Sequence, residues 1–241
     1  MELTLRPKAT SLLSGESVLP MLLRSNYHIF SASKDQLETS VLPAYWVRGD
    51  DVTVTPSGSQ CPKGQASYNV EDTHPYEMYK YIDFGCFSLD SCIKYSLRAE
   101  LGDSPHMPCC QGFAQLEAPT AYLNSDFGQV TYLDPITGAV TSQVRDQDET
   151  EQLVIIHTQD QEYALGVISE SRGPTTAGIP GLHYAYFSFN IQPFDQKTFK
   201  WSVVVREDLQ SGHVFDVNSY LCVGTLDDVI NCLKSIESQI N

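Results

Sequence analysis

Glu117, Tyr122, His157, His183 and Trp201 are the residues of this sequence whose types could together do chemistry on a polyhydroxylated ring. A sugar offers an apolar face that stacks on Tyr or Trp, and hydroxyls that need carboxylate, imidazole or guanidinium partners. A Glu and a His within reach of one hydroxyl could also move its proton. Each group sits beside aromatic or apolar sequence. Glu117 follows Phe113-Ala114-Gln115-Leu116 and precedes Pro119 and Tyr122, His157 closes the run Leu153 to Ile156, and His183 opens His183-Tyr184-Ala185-Tyr186-Phe187-Ser188-Phe189. The uncharged segment Gly173 to Gly181 carries three glycines and is a candidate lid. Each residue has a structural use as well: histidines at strand ends hold neighbours by hydrogen bonds, and alternating Tyr and Phe fill sheet cores. Chain order leaves both uses open, because a register change of one residue turns a strand side chain to the opposite face.

Other clusters are weaker. His106, Cys109 and Cys110, with Cys86 and Cys92 upstream, carry zinc-ligating atoms but lack the paired Cys-x-x-Cys knuckles of a structural site. Asp146, Asp148, Glu149 and Glu151 lack the glycine on which a calcium loop turns, and read as a solvated loop. No metal and no cofactor is expected. The sequence holds no phosphate-cradling Gly-rich loop, no dinucleotide fingerprint, no Gly-x-Ser-x-Gly elbow and no His-Glu-x-x-His, so nucleotide and serine-hydrolase chemistry lack their motifs.

The elements that must position these groups are mostly strands. Ile93, Tyr95, Leu97 and Ala99 alternate with Lys94, Ser96, Arg98 and Glu100, a period of two with one face inward. Similar short runs cover Met78 to Phe84, Phe113 to Ala118, Gln129 to Leu133, Ala139 to Val144, Gln152 to His157, Tyr163 to Ser169, His183 to Asn190, Phe199 to Arg206 and His213 to Val223. Asp134-Pro135-Ile136-Thr137-Gly138 predicts one hairpin and Gln159-Asp160-Gln161 a second. The period then changes. Thr225 with Asp228 forms a capping box, and Leu226, Val229, Ile230 and Leu233 recur at helical spacing. The fold class expected is mainly β, an antiparallel sandwich or supersandwich with one C-terminal amphipathic helix. Residues 1–241 are read as a single β-rich domain, whose first 70 residues give the least legible pattern, with one further strand over Tyr45 to Val54.

Composition narrows the partners. Thirty acidic against 15 basic residues give a formal charge of -15, a field that repels phosphate backbones and anionic lipid. Nucleic acid and membrane are not expected as partners, and no apolar run reaches the roughly 20 residues of a spanning helix. The N-terminus lacks a basic segment followed by a continuous apolar core, and no Asn-x-Ser/Thr acceptor occurs, so a cytoplasmic location is expected. Seven cysteines, an odd number, fit reduced thiols better than a closed disulfide framework. The oligomeric state stays open.

From about Tyr81 onward the order of GFAQLEAPTAYL, VTYLDPITGAV, LVIIHTQDQEYALGVISE, KWSVVVRED and GHVFDVNSYLCVGTLDDVINCL resembles the galactose mutarotase-like β-supersandwich of many carbohydrate-active proteins. The resemblance covers about two thirds of the chain and implies the fold and, by fold analogy, a carbohydrate ligand. It assigns no catalytic residue, because Glu207 and His213 in the late segment match no motif of that family. The function expected is carbohydrate binding or modification. The alternative is a non-enzymatic module whose sheet face or edge docks a protein partner.

Overall fold

The computed structural model describes residues 26–42, 77–100, 113–142, 147–170, 182–191, 196–208 and 214–240. In chain order the elements are β1 (Asn26–Ala32), β2 (Gln36–Leu42), β3 (Glu77–Phe84), β4 (Cys92–Glu100), β5 (Phe113–Leu123), β6 (Gln129–Leu133) and β7 (Val140–Ser142). They continue with β8 (Gln147–Thr150), β9 (Leu153–His157), β10 (Ala164–Ser169), β11 (Leu182–Ile191), β12 (Gln196–Asp208), β13 (Val214–Gly224) and the helix α1 (Leu226–Ile240). A nine-stranded sheet runs β1-β2-β3-β4-β13-β10-β9-β6-β7, and a four-stranded sheet runs β5-β12-β11-β8. The strand pairs are antiparallel. The expected two-sheet antiparallel architecture with one terminal helix is therefore the fold.

Period-two sequence explains how the sheets face each other. Tyr95, Leu97 and Ala99 of β4, Val217 of β13, and Tyr184, Tyr186, Trp201, Val203 and Val205 of the small sheet share one buried core. Two hydrogen bonds tie the layers: Trp201 Nε1 donates to Val154 O at 3.1 Å, and the Ser169 amide donates to Tyr184 Oη at 3.1 Å. These satisfy polar groups that burial would otherwise strand.

Helix α1 covers the other face of the large sheet. Asp228 N–H donates to Thr225 Oγ1 and Thr225 N–H to Asp228 Oδ2, each at 3.2 Å, so the capping box is reciprocal. Leu226, Val229, Cys232, Leu233 and Ile236 form its buried stripe. At Gly166 a Cβ would lie 2.8 Å from both Leu233 Cδ1 and Val229 Cγ1. The helix seats directly on β10 because that position has no side chain. Among the described residues no helix is long and apolar enough to cross a membrane.

Both expected hairpins form, β6–β7 and β9–β10–β13 continuing from the second. In the first, Asp134 Oδ1 accepts from the amides of Ile136 and Thr137 at 2.9 Å, and Gly138 takes the left-handed conformation at φ 69°. The expected strand at Tyr45 to Val54 and the lid segment Gly173 to Gly181 lie outside the described residues, as do His106, Cys109 and Cys110. Two expectations are corrected. The acidic stretch read as a solvated loop contains β8, which pairs with β11 through Tyr184↔Thr150 and Ala185↔Glu149. The cysteines read as reduced thiols include two bonded pairs, Cys86–Cys92 and Cys222–Cys232, whose Cα atoms stand 5.3 and 6.1 Å apart. An odd count excludes complete pairing only, and both separations suit a disulfide.

Candidate functional site

Alternation along β12 and β11 decides which side chains leave the core. Phe199, Trp201, Val203 and Val205 point inward with Tyr184 and Tyr186, so Lys200, Ser202, Val204 and Arg206 share the outer face with His183, Ala185, Phe187 and Phe189. Register then sets rows across that face. His183↔Val204↔Glu117 make one row, Glu149↔Ala185↔Ser202↔Thr120 the next, and Phe187↔Lys200↔Tyr122 the third.

Glu117 and Tyr122 are five positions apart, an odd number that would send them to opposite faces of a regular strand. A bulge restores their phase. Thr120 stands opposite Ser202 and Glu117 opposite Val204, so Ala118 and Pro119 together face Val203. Lys200 confirms the outcome, since its Nζ pairs with Glu117 Oε2 and lies 5.8 Å from the centroid of Tyr122.

The charged groups of this face are joined. Lys200 Nζ also stands 5.9 Å from the Phe187 ring, placing an ammonium between two aromatic faces. Phe187 stacks with Phe189 at 6.3 Å between centroids. Beside them, Arg206 clamps Glu149 with both terminal nitrogens, Nη2 to Oε2 at 2.8 Å, while His183 Nδ1 stands 2.6 Å from Glu149 Oε1. An ionised carboxylate only accepts, so Nδ1 carries the hydrogen and Nε2 is the ring atom left for another group.

Ser202, Val204 and Ala185 are almost fully buried although they belong to an outer face. The Lys200–Glu117 pair crosses the Ser202 row diagonally, and the Arg206–Glu149 pair crosses the His183–Val204 row. Among the described residues Ser202 Oγ has no hydrogen-bond partner, an unmet donor and acceptor at the centre of the face.

Hydrogen bonds from Arg206 and then His183 outweigh burial and hold the Glu149 carboxyl at about 2, below its usual 4.5. A depressed carboxyl stabilises the fold above its unfolded value and loses that contribution as pH falls through the folded one. Wild type should therefore show a falling urea midpoint between about pH 4.5 and pH 2. Glu149→Gln should flatten that part of the profile; an identical acid profile in the variant would refute the coupling.

The five residues singled out by sequence separate. Glu117, Tyr122 and His183 come together on the outer face of the small sheet. Trp201 alternates into the core with no exposed surface. His157 stands on the large sheet, in phase with Ile155 under the helix; it bonds Thr131 Oγ1 at 3.0 Å and Thr158 O at 2.8 Å, a structural pairing. Glu149, Phe187, Lys200 and Arg206 complete the face; the sequence reading had Glu149 in a solvated loop and Phe187 only as part of an aromatic run, and it passed over Lys200 and Arg206. Lys200 and Arg206 flanking an apolar strand at even spacing were the available signal.

No family model matches the chain, and no curated protein matches it. Among solved structures it is similar to the GH36 alpha-galactosidase AgaB from Geobacillus stearothermophilus, with a TM-score of 0.36 and 10% sequence identity. The match covers 85% of this chain and 30% of that one. At that score the likeness carries no argument about activity. The fold is an antiparallel two-sheet sandwich whose small sheet carries an ion-paired, aromatic outer face.

Proposed function

We propose that the outer face of the small sheet binds a carbohydrate. The observation that carries this is the placement of Glu117 and His183 on either side of Val204 in one row, beside the rings of Tyr122, Phe187 and Phe189. Tyr122 and Phe189 are exposed and can stack on the apolar face of a pyranose, while Glu117, His183 and Lys200 meet its hydroxyls. Ser202 Oγ supplies a further polar partner once the Lys200–Glu117 pair yields. The bonded cysteines also bear on location. Disulfides persist in oxidising compartments and are rare in reducing cytosol, which weighs against the cytoplasmic expectation.

A glycan array followed by calorimetry on the best binder tests the reading. Stacking on one ring contributes about 0.5–1.5 kcal/mol, so Tyr122→Ala and Phe189→Ala should each weaken binding roughly 2- to 12-fold. Equal affinity in the double variant would remove this face from consideration. A constitutive oligomer without sugar affinity would instead favour the protein-docking module.

A further inference from the structure

Cys92 and Cys222 are register partners on the adjacent strands β4 and β13, yet each is bonded elsewhere, to Cys86 and Cys232. Their position in the antiparallel ladder is informative. Val223 N–H donates to Ser91 O at 3.0 Å, which makes Ser91 and Val223 a hydrogen-bonded pair and the next pair, Cys92 and Cys222, a non-hydrogen-bonded one. In such pairs the Cα atoms approach to about 4.5 Å with their side chains on the same face. That separation falls within the range a disulfide spans.

We propose that Cys86, Cys92, Cys222 and Cys232 form one disulfide-exchange unit, in which a third bridge, Cys92–Cys222, replaces the native pair when one bond opens. Cys92 and Cys222 have no exposed surface, whereas Cys86 is only partly buried, so reduction enters at Cys86. A dithiol reductant of the thiol–disulfide oxidoreductase class gives two electrons to the Cys86–Cys92 bond and becomes a disulfide itself. Cys92 thiolate then attacks Cys222 Sγ; the Cys92–Cys222 bond forms, the Cys222–Cys232 bond breaks, and its electron pair leaves on Cys232 Sγ, which takes a proton from solvent. The second step needs no further oxidant or reductant. Its result is a cross-strand staple inside the large sheet and a helix α1 freed from its covalent tether to β13.

Tryptic mapping reads the exchange directly. Cleavage after Lys80, Lys94, Arg206 and Lys234 leaves each native bridge inside one peptide, 81–94 or 207–234, whereas Cys92–Cys222 joins the two. The full chain is treated with limiting dithiothreitol, acid-quenched, alkylated and digested. The expected product is the joined pair with label on Cys86 and Cys232, forming about tenfold faster per pH unit below the ordinary thiol value near 8.5. Cys86→Ser should yield the same joined pair with no reductant, and Cys232→Ser should reach it from the other side. Folded protein in which each bridge is lost within its own peptide, without joined product, overturns the proposal; the wild-type arm decides even if a variant misfolds.

Discussion

Trp201→Ala should lower the stability of the fold by about 3–5 kcal/mol and the melting temperature by roughly 6–20 °C. Among the described residues Trp201 is the largest side chain with no exposed surface, and its indole N–H reaches across the core to Val154 O. Truncation leaves a cavity between the sheets and a carbonyl without its donor. Trp201→Phe separates these effects, because it keeps most of the volume and loses only the hydrogen bond, at about 1–3 kcal/mol. In calorimetry below the melting range, Trp201→Phe should bind sugar like wild type while Tyr122→Ala does not. An unchanged melting curve for Trp201→Ala would mean that the two layers are not held together as described.

Leu233→Ala should cost about 2–5 kcal/mol. Leu233 is fully buried and its Cδ1 occupies the space where a side chain at Gly166 would stand. Gly166→Ala should itself cost about 1–3 kcal/mol by pushing the helix from the sheet. The two substitutions compete for one volume, so the double variant should cost less than the sum of the singles. Urea denaturation of the four proteins measures this; strict additivity would show that α1 rests elsewhere on the sheet.

β4 was legible because alternation writes its buried face into the sequence, whereas β10, buried on both faces, was legible as a short apolar run after a turn. The helix was legible from its capping box and stripe. β8 was not, since Asp148 and Glu149 carry charge on a short edge strand, where a partner rather than hydropathy sets the conformation. The site was legible only by composition. Glu117 and Tyr122 share a face through the bulge at Ala118 and Pro119, and no local pattern announces an extra residue in one strand. His157 and Trp201 looked equivalent to His183 and Tyr122 until tertiary pairing sent them to the helix-covered face and the core. The cysteine pairing was hidden for the same reason: Cys222 and Cys232 meet because α1 folds back over β13.

The position of β13 bears on how the chain can be made. It separates β4 from β10 in the large sheet, so the strand nearest the end of this sequence is the one that joins β1-β2-β3-β4 to β10-β9-β6-β7. During synthesis on the ribosome the strands of both half-sheets are made before their connector, and until it arrives β4 and β10 each lack a partner along one edge. Open edges of that kind are templates for pairing with other chains. A nascent chain stalled before Val214 therefore lacks the strand that joins the two halves, and β13 turns two exposed edges into paired ones.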